Sequence, residues 1–160
     1  MTDEQKRQNA QRMFTLIRTT LEEMGVQYGV NEERMTVRFT ARGQDLPMDL
    51  YLSADLRRQM VVLLSPMPVE VNPDRVLDMA VAVSVANNTV VDGGFDYNMN
   101  EGRLYYRMNN SFIDCQYGSG LVKYLLDCAF HVIDRYNERF EQLGNGTIDL
   151  QKFIEMTLSN

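Results

Sequence analysis

The sequence predicts an α+β fold in the order helix, three-stranded antiparallel sheet, helix, two strands, long helix, with a short extra helix at the C-terminus. Three observations carry this reading. Apolar residues recur at steps of three and four near the start and again over 119–143, whereas they alternate with polar residues over 35–52 and 95–108. No repeat, low-complexity tract or linker divides the 160 residues, and a 44% hydrophobic chain of that length can bury one core, so a single domain over 1–160 is expected.

Residues 3–24 place Ala10, Met13, Phe14, Ile17, Leu21 and Met24 on one helical face; Thr2 and Gln5 have the spacing of a capping box, and Gly25 is a stop signal. Met35, Val37, Phe39 and Ala41 then alternate with polar residues, as do Leu46, Met48, Leu50 and Leu52, with turn residues at 42–45. This is a hairpin in which Pro47, lacking an N–H, implies that its strand lies at an edge or begins after it. The run 60–64 is apolar without alternation, which predicts a strand covered on both faces.

Asn72, Pro73 and Asp74 resemble an N-cap, an N1 proline and a first-turn acid, and a second helix is expected from there to Asn87. Val81, Val83 and Val85 alternate like a strand, but Val76, Met79, Ala80, Val83 and Asn87 fit one helical face. A second hairpin pairs Phe95, Tyr97 and Met99 with Leu104, Tyr106 and Met108 around the turn 100–102. The long helix is expected to be capped by Ser119 and ended by Gly144. Two adjacent apolar stripes, one through Leu121, Leu125, Cys128 and Val132 and one through Val122, Leu126, Ala129, Ile133 and Phe140, exceed what the sheet alone would cover. A final helix is expected over 149–158, with Thr147 a candidate cap.

The chemistry-bearing residues are sparse. A formal charge of −6 repels phosphate backbones and anionic membrane surfaces, so neither nucleic acid nor membrane is an expected partner. No stretch reaches the roughly 18 apolar residues that a spanning helix needs, and the start lacks the layout of a signal peptide, which points to the cytoplasm. Cys115 and Cys128 read as reduced thiols without zinc-site spacing. The lone His131 falls between Asp127 and Arg135 on a polar helix side, an ordinary solvated arrangement. The segment 92–96, DGGFD, lacks the phosphate-loop spacings and leads into a strand, so a glycine turn is the expected role. The loop 144–150 imitates half an EF-hand, but with Gly146 in the sixth position, Leu143 and Lys152 occupy ligand positions where calcium needs oxygen. No catalytic residue, metal site or cofactor is expected.

Ten methionines besides Met1 recur along the predicted elements; most read as core, with a minority free to line a tolerant apolar surface. The segments VANNTVVDGGFDYNMNEGRLYYRMNNSF and LVKYLLDCAFHVIDRYNERFEQL resemble the YbjN-like family, assigned to bacterial sensory transduction regulation, with Asn87, Asn88, Phe95, Asp134 and Tyr136 carrying most of the likeness. The resemblance is best over 60–154, and the tail 149–160 departs from it. It implies a fold similar to type III secretion chaperones and a small acidic dimer that binds other polypeptides or modulates regulation, with no family catalytic residue to carry over.

The leading expectation is thus a non-enzymatic module that binds apolar segments of a partner protein or peptide. The rival is a small-molecule-sensing or enzymatic domain with an apolar pocket between sheet and long helix. The doubled stripe of the long helix and the unalternating strand also predict a homodimer. Candidate dimer or partner residues are Met60, Val62, Leu64, Met79, Val83, Tyr97, Tyr105 and Tyr106.

Overall fold

The computed structural model describes residues 1–159. Helix α1 (Asp3–Glu23) is followed by strands β1 (Gly29–Asn31), β2 (Thr36–Arg42), β3 (Pro47–Asp55) and β4 (Met60–Pro66). A 3₁₀ turn (Pro73–Arg75) leads into α2 (Val76–Asn87), then β5 (Gly94–Asn98), β6 (Arg103–Ser111), α3 (Ser119–Gly144) and α4 (Leu150–Leu158).

The strands do not form a three-stranded sheet with two separate strands. They make one antiparallel six-stranded sheet in the order β1-β2-β3-β4-β6-β5. The join is the pairing of β4 with β6, in which Leu63 faces Met108 and Ser65 faces Tyr106 across the α2 crossover. Pro47 opens β3, an interior strand, so its missing N–H falls where the ladder begins. The added strand β1 is three exposed residues and pairs with β2 only at 36–38.

The Thr2–Gln5 capping box forms reciprocally, at 2.8 and 3.2 Å. Other expected caps do not form. Asn72 makes no side-chain cap bond and is followed by the 3₁₀ turn; Gly118 rather than Ser119 is the N-cap of α3; and Asp149, not Thr147, caps α4 by accepting from the Lys152 N–H at 2.8 Å. Gly144 is the last residue of α3, with Asn145 as the C-cap and the left-handed turn at Gly146, and its own need for glycine is one of packing, since a Cβ there would lie 2.4 Å from the Glu70 carbonyl oxygen.

The core lies between the helices and one face of the sheet. Val37, Leu50, Leu52, Val61, Leu63 and Leu104 face it from the strands, and Phe14, Ile17 and Leu21 from α1. The second stripe of α3 is absorbed here, with Val122, Leu126, Ala129, Ile133 and Phe140 buried against neighbouring elements, whereas of the first stripe only Leu125 is buried and Leu121, Cys128 and Val132 are half-buried. The C-terminal half of α3 adds an aromatic cluster, in which Phe95 sits 5.0–5.4 Å from the rings of Tyr106, Tyr136 and Phe140, and Phe140 sits 5.2 Å from Phe153 of α4.

Candidate interaction surface

Strand periodicity sends alternate residues to opposite faces, and all helices that cover the sheet lie on one of them. On the other face the centre is apolar. Met60, Val62 and Leu64 of β4 point outward, half-buried only by one another and by neighbours on adjacent strands. The register sets Leu64 beside Tyr51 of β3, and Pro66 beside Tyr105 of β6, extending the strip across three strands. The expectation that 60–64 is covered on both faces is therefore not met within the chain: one face is core and the other is open.

Charged pairs flank the strip. On the β2–β3 side Arg38 bonds Asp49 at 2.9 Å and lies 5.4 Å from the centre of the Tyr51 ring, and Thr40 donates to the same carboxylate. The Thr40 hydroxyl and then the Arg38 guanidinium hold the Asp49 carboxyl below the usual carboxylate range. On the β5–β6 side Arg107 pairs with Asp96 at 2.9 Å. Both pairs are largely exposed and contribute little to stability. Their effect is to leave the face close to charge-balanced.

Of the sequence-predicted residues, Met60, Val62, Leu64 and Tyr105 come together on this face. Met79, Val83 and Tyr106 do not: they are buried in the core and have no surface to offer a partner. Tyr105 and Tyr106 are consecutive on a strand and so cannot share a face. Tyr97 also points to the helix-covered side, where burial pushes its hydroxyl pKa up and leaves the oxygen without a hydrogen-bond partner. Tyr51 and Pro66 complete the strip; Tyr51 takes a place between the apolar residues of its alternating strand, and Pro66 ends β4, so neither carries an apolar signal in the sequence.

A second apolar surface lies on α2. Its sequence, VLDMAVAVSVAN, is apolar around most of its circumference, and Leu77 and Val81 stand 71% and 46% exposed on the side turned away from Met79, Ala82 and Ala86.

The residues that carry the family resemblance are fastened into the fold. Asn87 brackets Phe95, accepting from its N–H at 2.8 Å and donating to its carbonyl at 3.0 Å, which occupies the free edge of β5. Asn88 is the C-cap of α2; Asp134 accepts from the Gln44 N–H at 2.9 Å; Tyr136 is buried with its hydroxyl bonded to Thr89. His131 is exposed, and among the described residues no group of three or more His, Cys, Asp and Glu could hold a metal. No helix among them is long and apolar enough to cross a membrane.

No family model matches the sequence, and no curated protein matches it. Solved structures do match in fold. A chain of the HopA1–SchA chaperone–effector complex aligns with a TM-score of 0.54 at 15% identity, covering 80% of this chain and 91% of that one. YbjN from E. coli, described as a candidate transcription regulator, aligns with a TM-score of 0.58 at 14% identity over 78% of this chain and 91% of its own. The fold is thus YbjN-like and secretion-chaperone-like.

Proposed function

We propose that this protein is a non-enzymatic, chaperone- or adaptor-like module of the cytoplasm that holds an apolar segment of a partner polypeptide on the open face of its sheet. The observation that carries the reading is the strip Tyr51, Met60, Val62, Leu64, Pro66 and Tyr105, an apolar centre with a polar rim on a sheet whose other face is covered by helices over its central strands. That is the anatomy of a recognition surface, with aromatic and flexible apolar groups inside and ion pairs outside. The chaperone–effector complex that shares the fold supports a protein partner.

The same reading makes the protein a homodimer, but through α2 and not α3. A helix that is apolar around most of its circumference is ordinarily buried, and the outward Leu77 and Val81 are what a second copy would cover, whereas the apolar residues of α3 are buried or half-buried inside the monomer. The net charge of −6 biases the partner segment towards basic flanks, an effect expressed in association rate and weakened by salt.

The reading is tested by panning a random peptide library against the protein and against a Val62→Asp, Leu64→Asp variant. Enriched peptides should carry alternating or helically spaced apolar residues with basic neighbours, and the variant should lose them while keeping its melting temperature. Retention of the same peptides by the variant would place the binding surface elsewhere.

A further inference from the structure

A hollow between strands β5 and β6 and the long helix is lined mostly by polar groups, and a more apolar one lies elsewhere. A groove of about 310 Å³ runs between α1 and the segment joining β6 to α3. Met13 and Leu16 of α1 form one wall, Phe112 the floor, and Cys115 and Tyr117 the opposite wall. Its volume sits at the small end of the roughly 300–1,000 Å³ typical of ligand cavities.

The groove is held open by hydrogen bonds on both sides. Gln59, at the β3–β4 turn, donates from its side chain to the Lys6 carbonyl of α1 at 3.0 Å, while its own carbonyl accepts from the Phe112 N–H at 3.0 Å. Tyr117 ties the far wall back to β6 by donating to the Ser111 carbonyl at 2.8 Å. The walls therefore do not need to be ordered by a ligand, which removes one of the usual costs of binding.

Its electrostatics are one-sided. Arg12 is the only charged residue of the lining, and among the described residues its guanidinium has neither an ion-pair nor a hydrogen-bond partner. The polar groups around it, from Asn9 and Gln116, are uncharged amides. A free guanidinium over an apolar floor matches a planar anion attached to a hydrocarbon body, because its fork of donors meets a carboxylate in two parallel hydrogen bonds. The net charge of −6 argues against a site that gathers anions indiscriminately, so the floor supplies affinity and the cation supplies selectivity.

We propose that this groove binds a small apolar carboxylic acid, with its hydrocarbon body against Met13, Leu16 and Phe112 and its carboxylate on Arg12. The site is separate from the open sheet face and stands or falls independently of the partner surface proposed there.

Cys115, exposed in the groove wall, provides the readout, and the half-buried Cys128 on α3 provides the internal reference. The alkylation rate of each thiol by iodoacetamide is followed by peptide mass spectrometry in the presence of octanoate or its neutral counterpart octanamide. Octanoate should slow Cys115 saturably and leave Cys128 unchanged, and octanamide should protect about tenfold more weakly, the difference that a charge-assisted pair supplies. Arg12→Gln, at an exposed helix position, should retain the melting temperature and reduce octanoate to the level of octanamide. Equal protection by the two compounds, an octanoate preference that survives Arg12→Gln, absence of saturable protection, or protection by apolar peptides alone would each overturn the proposal.

Discussion

Replacing Asn87 by alanine removes the bracket that fastens β5 to the end of α2. Two hydrogen bonds are lost, from the Phe95 N–H at 2.8 Å and to the Phe95 carbonyl at 3.0 Å, and both backbone groups lie on the free edge of the sheet. Each bond contributes about 0.5–1.5 kcal/mol net, and because Asn87 itself is exposed, water reaches the freed groups and keeps the loss near 1–2 kcal/mol. For a chain of this size that is a fall of about 2–8 °C in melting temperature. The isosteric Asn87→Asp is the sharper variant: it keeps an acceptor for the N–H but sets a second oxygen against the Phe95 carbonyl, so it should be no more stable than alanine. The chain has no tryptophan, so urea unfolding is followed by far-ultraviolet circular dichroism, with Asn88→Ala as the neighbouring control, expected within about 0.5 kcal/mol of the parent. If Asn87→Ala also stayed within that margin, or if aspartate matched asparagine, the bracket would not hold the edge.

Gly144→Ala places a methyl 2.4 Å from the Glu70 carbonyl and must displace backbone, so thermal unfolding should show a loss of several kcal/mol, well beyond the usual ~1 kcal/mol of a point substitution. Burial raises the Tyr106 hydroxyl above its ordinary range; a raised folded-state pKa favours the protonated form, so the stability it contributes is intact below the unfolded value near 10 and falls as pH rises beyond it. Tyr106→Phe should flatten that alkaline decline at the cost of the hydroxyl's 2.7 Å bond to the Asp92 carbonyl, as read by denaturation at pH 8 against pH 11. Sedimentation should give a dimer for the parent chain and a monomer for Leu77→Asp with Val81→Asp, and a monomeric parent would remove the role assigned to α2.

The parts of the fold that local patterns dictate were legible. The capping box and apolar face of α1, the pairing of β2 with β3, and the hairpin of β5 and β6 around Gly102 all follow from residue periods and turn residues. Non-local facts were not. Nothing in the period of either strand says that β4 pairs with β6 across the intervening helix and strand, and a three-residue exposed strand such as β1 carries no hydrophobic signal. The valine alternation in α2 was overruled by its burial against α3, α4 and β5. Ser119 and Thr147 were misassigned as caps because cap geometry depends on where the chain enters the helix.

The surface was legible by halves. The unalternating run at 60–64 drew attention to the strand whose outer face is open, although it was expected to be covered. Tyr106, Met79 and Val83 were included for their size and apolarity, which are equally the marks of core. The resemblance residues instead locate the fold: Asn87 ties the end of α2 to the next strand, and Phe95, Asp134 and Tyr136 each make a contact between elements distant in sequence. They belong to the scaffold and none of them lies on the open strip.

The central claim is most directly tested by asking which face of the sheet a bound polypeptide protects. Backbone hydrogen exchange does not separate the two faces of a strand, so the measurement is methyl NMR with a library-selected peptide titrated into protein carrying labelled valine, leucine and methionine. The account predicts saturable shifts at Met60, Val62 and Leu64 with Val61 and Leu63, on the opposite face of the same strand, much less affected. Shifts confined to Val61, Leu63 and the core, or to residues of α1 and α3 with the 60, 62 and 64 methyls silent, would contradict it.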